Sequence, residues 1–385
     1  MRMSDWQTLP LGEVLTFQRG FDITKDEQRA GPYAVISSSG PKSTHAEFKV
    51  RGPGVIIGRK GSLGTVFYSE CNYWPHDTTL WVKNFHGNDA SFAYYFLQTM
   101  GFERLDTGAS NPSLNRNHIH TIPVFWPALP IQCRIAGILS AYDELIENCQ
   151  RRIKILEEMA RALYREWFVC FRFPGHESVP RVPSPLGDIP LGWEVEPFTE
   201  IADVLSGGTP KTDVAEYWDG EIPFFTPSDV ADCFYVQDTV KHVTELGLSK
   251  CASELYPPDT VFITARGTVG KVALPSVPMA MNQSCYALQG KPGFSQRFLF
   301  LMTLQQVDYL KTNTGGATFD TIVVDTFRRM KVVKPVHDVV ARFTKKSDGI
   351  FNQVNTLQRQ THCLRQTRDL LLPRLISGQI EIGNN

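Results

Sequence analysis

The chain is written twice, and that repetition restricts its fold more than any single motif does. Trp6 and the following GEVLTFQRG align with Trp193 and TEIADVLSGG, which sets Gly20 over Gly207 at an offset of 187. Lys60-Gly61-Ser62-Leu63-Gly64 then falls on Arg266-Gly267-Thr268-Val269-Gly270 at 206. TGASNPSL from Thr107 falls on TGGATFD from Thr314 at 207, and FWP ending at Pro127 on VKP ending at Pro335 at 208. The order is kept throughout, and the second copy carries about nineteen extra residues between its first two landmarks.

Each copy follows one plan. Short β-branched and aromatic runs bounded by Gly, Pro, Ser and Asn read as strands: YAVISS, GVIIG, TVFYS and TLWVK in the first copy, IPFFT, TVFIT, KVALP and SCYALQ in the second. ASFAYYFLQTM and SQRFLFLMTLQQVDYL have the helical period. Both copies are therefore expected to be α+β domains, spanning residues 1–128 and 191–334.

A long helical run follows each domain. In the first, over 129–170, Ile135, Ile138, Tyr142, Leu145, Cys149, Ile153, Leu156, Ala160, Leu163 and Trp167 recur at intervals of four and three, with one extra four near Cys149. In the second, over 335–376, Val336, Val340, Phe343, Ser347, Ile350, Val354, Leu357, Thr361, Leu364, Arg368, Leu371 and Leu375 alternate four and three throughout. A 3.5-residue period held this long indicates a coiled-coil seam, and each seam needs a partner helix. The two stripes are each other's obvious partners, as antiparallel helices of roughly 57 Å at 1.5 Å per residue. The stretch 171–190 holds Pro174, Pro180, Pro183, Pro185 and Pro190 and reads as an extended connector, while 377–385 forms a C-terminal tail. The fold class is thus two repeated α+β domains separated by two long antiparallel helices, with an internal pseudo-two-fold repeat.

The repeated loops, VIIGRKGSLGTVFY and VFITARGTVGKVAL, set basic residues beside glycines as a phosphate-binding loop would. Neither has the G-x-x-x-x-G-K-[S/T] spacing that lets backbone amides and a lysine surround a nucleotide's phosphates. Two readings remain: a hairpin whose glycines permit the turn, and a DNA contact in which Arg59, Lys60, Ser62, Arg266, Thr268 and Lys271 donate to phosphates or base edges. SNPSLN, from Ser110, falls short of the [D/N]-P-P-[Y/F] motif of amino-methyltransferases, lacking the second proline and the aromatic ring that stacks on a flipped base. NHIHTI places His118 and His120 on one face of an expected strand, with no third ligand nearby, so no metal is expected. No carboxylate pair suggests acid/base catalysis, and Glu157, Glu158, Arg161 and Arg165 read as the solvated flank of a helix or a face for a partner.

With 42% hydrophobic and 21% charged residues the chain has the composition of a globular protein. A net charge of −1 lacks the electrostatic signature of a free-standing nucleic-acid binder, so help with the phosphates is expected if DNA is bound. Eight cysteines without a C-x-x-C pair, and no apolar segment near the length of a membrane span, point to a cytoplasmic protein.

The ordered set DWQTLPLGEVLTFQRG, GWEVEPFTEIADVLSGG, KGSLG, RGTVG, LPIQCRIAGILSAYDELIENCQRRIKILEEMARALYREWF with FRFPGHE, and LLLPRLISGQIEI resembles the specificity subunit of type I restriction-modification systems over essentially the whole chain. The resemblance implies a non-catalytic reader of double-stranded DNA. Each of its two target-recognition domains would read one half of a split, asymmetric site. The two helices would dock two methyltransferase subunits, and the complex can recruit restriction subunits. S-adenosylmethionine, ATP and Mg2+ would belong to those partners, with no cofactor bound by this chain. The family's base-contacting residues vary with target, so none is carried over. A stand-alone DNA methyltransferase and a protein-interaction scaffold stay open as other readings.

Overall fold

The computed structural model of the chain describes residues 6–105, 113–230, 233–313 and 321–380. Two compact units emerge, Met1–Ile146 with Leu364–Asn385, and Glu147–Cys363. Each takes one copy of the repeat and a part of both long helices. SNPSLN up to Pro112, and TGGATFD, lie outside the described residues.

In the first unit a four-stranded antiparallel sheet runs in the order Thr16–Arg19, Thr79–Asn84, Gly54–Gly58, Val66–Ser69. A three-stranded sheet sets Tyr33–Ser37 between Gly40–His45 and a parallel partner, Tyr73–Pro75. The GVIIG strand is buried along its whole length, which suits its β-branched residues. Helix Ala90–Gln98 starts where the Asp89 side chain accepts the Phe92 N–H at 2.7 Å, and it turns Phe92 and Phe96 edge-on against Trp126.

The second unit repeats the central registers of this plan. Ile56 lies opposite Phe67 and Trp81, and Phe262 opposite Ala273 and Ala287, every partner being 206 positions on. Phe17 faces Val82 as Val204 faces Leu288, and Pro10 faces Pro123 as Pro197 faces Lys331. The offsets of 187, 206 and 208 in the sequence are thus strand registers. A one-residue slip would turn each buried face outward, so register is what two diverged copies must share. The additions are local, among them Tyr235–Val236 as a fifth, parallel strand.

Gly20 and Gly207 are one such equivalent pair. Their N–H groups donate to Thr79 O and Cys285 O, and a Cβ on either would collide with a backbone carbonyl, that of His76 or of Asn282. Gly20→Ala or Gly207→Ala is therefore expected to destabilise its own unit by about 2 kcal/mol. Thermal unfolding of each variant, with hydrogen exchange to locate the loosened unit, checks this; unchanged protection around residue 76 or 282 would count against it.

The first long helix covers Leu129–Tyr164 and ends in a π turn at Arg165–Val169; the second covers His337–Ile376. In the first unit Ile131, Ile135 and Leu139 share a core with Leu375 and Ile376, and Arg368 pairs with Asp143 at 2.5 Å. In the second unit Tyr164 and Trp167 pack against Phe343. The start of each helix therefore meets the end of the other, and the pair is antiparallel. The second seam buries Val340, Phe343, Ser347, Val354, Leu357, Thr361 and Leu375 as its spacing predicts, although Val336, at the helix entry, is exposed, and Phe351 is fully buried where the spacing places the half-buried Ile350. Its polar members turn back on their own helix, Ser347 Oγ to Thr344 O and Thr361 Oγ1 to Leu357 O.

Three expectations need correction here. On the first helix Ile135, Cys149, Ile153, Ala160 and Trp167 are buried as the spacing predicts, but Leu139, Ile146 and Tyr164 are buried in place of their neighbours Ile138, Leu145 and Leu163, of which Leu145 is 49% exposed. Adjacent apolar residues let the spacing be satisfied either way. Glu157 is not on the solvated flank but buried, at 8% exposure, where its carboxylate accepts the Phe234 N–H at 2.7 Å. The stretch 171–190 is not simply extended: Phe171 and Phe173 pack on Trp193, and Arg181–Val182 pairs with Ile189–Pro190. Aromatic burial outweighs the stiffness of the prolines. Among the described residues no helix is long and apolar enough to cross a membrane.

Candidate nucleic-acid interface

The repeated loop is a hairpin connection in both copies, closed by the same backbone bonds. Gly58 N–H donates to Thr65 O at 2.8 Å and Gly64 N–H to Gly58 O at 3.0 Å; Thr264 N–H donates to Lys271 O at 2.9 Å and Gly270 N–H to Thr264 O at 2.8 Å. Gly61, Gly64, Gly267 and Gly270 all have φ between 72° and 80°, the left-handed region that glycine enters without steric cost. The glycines are accounted for by the turn. A hydroxyl braces each loop from opposite sides of the hairpin: Thr65 Oγ1 reaches Ser62 O in the first copy, Thr264 Oγ1 reaches Thr268 O in the second.

Of the six positions proposed from sequence, Ser62, Arg266, Thr268 and Lys271 are exposed, and Arg59 and Lys60 are half-buried. Arg59 and Lys60 both donate their backbone N–H to Thr78 O, and the Arg59 guanidinium reaches Asp77 O at 3.4 Å. In the second copy Ala265 N–H donates to Ser284 O in the same way, and Thr268 Oγ1 reaches Pro227 O at 3.4 Å. Each loop is thereby fixed to a second turn, residues 76–78 or 282–284, that sequence reasoning passed over. Asp77 on that turn binds the Arg19 guanidinium at 3.0 Å, and His76 Nδ1 lies 2.9 Å from the other Asp77 oxygen. Beside it opens a cleft of about 440 Å³ lined by Ser37, Ser38, Ser39, Lys42, His76 and Lys25 among others, with two lysines and no carboxylate in its wall. The surface offers donors, which suits an acceptor-rich ligand such as a phosphate or the guanine edge.

His118 and His120 do not lie on a strand. They belong to a short helix, Arg116–Thr121, capped where the Asn115 side chain accepts the Asn117 N–H. His120 turns inward, its Nε2 accepting the Phe17 N–H at 2.9 Å while its ring stacks on Phe17. Burial, then the neighbouring Arg116, lowers its pKa and keeps the ring a neutral acceptor. Among the described residues no three His, Cys, Asp or Glu side chains group to hold a metal ion.

The sequence profile of the type I restriction modification DNA specificity domain matches residues 3–158 and again 190–338. The chain belongs to this family. It is 26% identical over 327 residues to the HindI specificity subunit of Haemophilus influenzae, covering 70% of this chain and 71% of that one. To the MjaVIII specificity subunit of Methanocaldococcus jannaschii it is 21% identical over 406 residues, 99% of this chain and 94% of the other. The MjaIX specificity subunit of the same organism is 31% identical over 154 residues, 39% of this chain and 36% of that relative. The crystal structure of a type I restriction-modification S subunit from M. genitalium superposes with a TM-score of 0.66 over 96% of both chains, at 16% identity, which establishes the shared fold. Both repeats of this specificity-domain protein are thus DNA-specificity domains of one architecture.

Proposed function

We propose that the chain reads DNA for a type I restriction-modification complex, with each repeated domain recognising one half of a bipartite, asymmetric site. One observation carries this reading: two domains share the registers of their central strands yet differ in side chains around their loops. Linking two readers makes the second half-site contact intramolecular, and the antiparallel helices set the number of unread base pairs between halves. Contacts such as those of Lys60, Ser62, Arg266, Thr268 and Lys271 would go to the DNA, with Arg59 mainly bracing the loop.

Two methyltransferase subunits would dock along the long helices, where Ile155 and Met159 stand more than half or half exposed one turn apart. Restriction subunits would join as further partners. S-adenosylmethionine, ATP and Mg2+ chemistry would belong to these partners in the cytoplasm, leaving this chain to supply the address, and partner subunits would also neutralise phosphates that a chain of net charge −1 does not.

The test exchanges residues 191–334 for the corresponding domain of another specificity subunit and maps methylated adenines in cells that also express a methyltransferase partner. Only one half of the methylated sequence is expected to change, with the gap constant. A change in both halves would refute modular reading. Methylation without sequence preference would favour a scaffold, and saturable S-adenosylmethionine binding by the isolated chain would favour a stand-alone methyltransferase.

A further inference from the structure

The repeat serves as its own control, because two half-sites share a phosphodiester backbone and differ in their bases. Side chains kept in kind between the copies suit the common part, and side chains that change suit the different part. Two positions of the hairpin loop are of the first sort: Lys60 and Ser62 correspond to Arg266 and Thr268, cation for cation and hydroxyl for hydroxyl, while Arg59 and Thr65 fall on Ala265 and Lys271. The turn fixed beneath it is of the second sort.

Backbone bonds establish the equivalence of the two turns. His76 N–H donates to Ile36 O at 2.9 Å, and Asn282 N–H to Phe225 O at 3.0 Å; Thr79 N–H donates to His76 O, and Cys285 N–H to Asn282 O. Arg19, opposite Leu80, corresponds to Ser206, opposite Tyr286. On this frame the first copy carries a charged set. Arg19, half-exposed, is held at 3.0 Å by Asp77, with Asp22 3.6 Å away. The second copy carries a neutral one, in which Thr209, at the position of Asp22, donates its hydroxyl to Oε1 of the exposed Gln283, at the position of Asp77.

We infer that Arg19 and Gln283 read bases: Arg19, oriented by Asp77, a guanine in the first half-site, and Gln283, oriented by Thr209, an adenine in the second. With Asp77 occupying Nη2, the guanidinium keeps donors for guanine O6 and N7. With Thr209 on one lone pair of Oε1, the amide keeps its second lone pair for adenine N6–H and its Nε2–H for N7. The carboxylate and the hydroxyl hold a flexible side chain in place, which reduces the ordering cost of binding. This assignment rests on the bipartite reading proposed above.

The test selects bound duplexes from a randomised double-stranded library with the complex of full-length chain and methyltransferase partner. Arg19→Ala is expected to lose guanine preference at one position of one half-site by roughly tenfold to a hundredfold, and Gln283→Ala adenine preference at one position of the other half. Arg19→Gln should move the first position towards adenine, an outcome that loss of folding cannot mimic. Lys60→Ala should weaken all sequences alike and leave the selected sequence unchanged. If Arg19→Ala and Gln283→Ala keep the wild-type sequence, or Arg19→Ala weakens every sequence equally, the inference is overturned and the bipartite reading stands. A wild-type complex that selects no bipartite sequence would remove both.

Discussion

Gln132→Ala is expected to cost the first unit about 4 kcal/mol, out of proportion to one polar side chain. Gln132 is 1% exposed at the first turns of the long helix, and its amide makes three hydrogen bonds to the domain beside it. Its Nε2 donates to Asn88 Oδ1 at 2.7 Å and Pro127 O at 2.8 Å, and its Oε1 accepts the Asp89 N–H at 2.9 Å. Asn88 in turn donates to Val14 O and Phe85 O and accepts from Trp126 Nε1. Gln132 and Asn88 thus tie the helix start to the cap of Ala90–Gln98, to Phe85 just past the Thr79–Asn84 strand and to the closing strand at Pro127. Alanine would leave the Asp89 N–H and the Pro127 carbonyl without these partners, at roughly 1–3 kcal/mol each, and open a cavity besides. Gln132→Leu restores the volume but not the bonds, so it should recover only about 1 kcal/mol. Denaturant unfolding of the two variants, with hydrogen exchange at residues 85–89 and 126–132, separates these parts; equal stability of the alanine variant and the wild type would show the network to be dispensable.

The features legible in the sequence are those enforced by repetition. Matching Gly20 with Gly207 and Gly64 with Gly270 supplied offsets that reappear as strand registers, because a paired strand cannot slip without exposing its buried face. The second long helix was legible for a related reason, its alternation of four and three fixing most of the seam, although Phe351 rather than its neighbour Ile350 is fully buried. Where the sequence permits two choices, as at Leu145 and Ile146, only tertiary packing decides. His118 and His120 show the same limit: a two-residue spacing fits a strand, but the Asn115 cap and the Phe17 N–H reward a helical turn. Within the candidate site the hairpin glycines were legible, whereas the pairing of Arg19 with Asp77 was not, since 58 positions separate them. A signal was nevertheless available in the offsets themselves. Carrying 187 and 206 through to residues 19, 22 and 77 pairs them with Ser206, Thr209 and Gln283, and exposes the change from charged to neutral side chains.

Glu157 supplies the other large effect, through pH. Burial on the first long helix pushes its pKa up to about 7, against the opposing pull of the Phe234 N–H and the nearby Arg161. The unfolded side chain releases its proton near 4.5, so between these values the folded unit holds a proton that the unfolded chain has lost. Its contribution to stability is therefore complete below about pH 4.5 and disappears as pH rises through about 7. Glutamine has no proton to lose and keeps an oxygen for the Phe234 N–H. Glu157→Gln should match the wild type closely near pH 5 and exceed it by up to about 3 kcal/mol at pH 8, from a shift of between two and three pH units. Unfolding midpoints of both proteins across pH 5 to 8 test this directly. Profiles parallel throughout would mean that another group titrates, while convergence towards pH 5 and a gap that widens up to about pH 7 and then holds would locate the proton on Glu157. The consequence reaches the proposed reading of DNA, because Glu157 holds the segment at Phe234 that leads into the Tyr235–Val236 strand, whose partner, Val272–Pro275, leaves the repeated loop. Raising the pH should accordingly loosen the seat of the second loop before that of the first, and Glu157→Gln should abolish the difference.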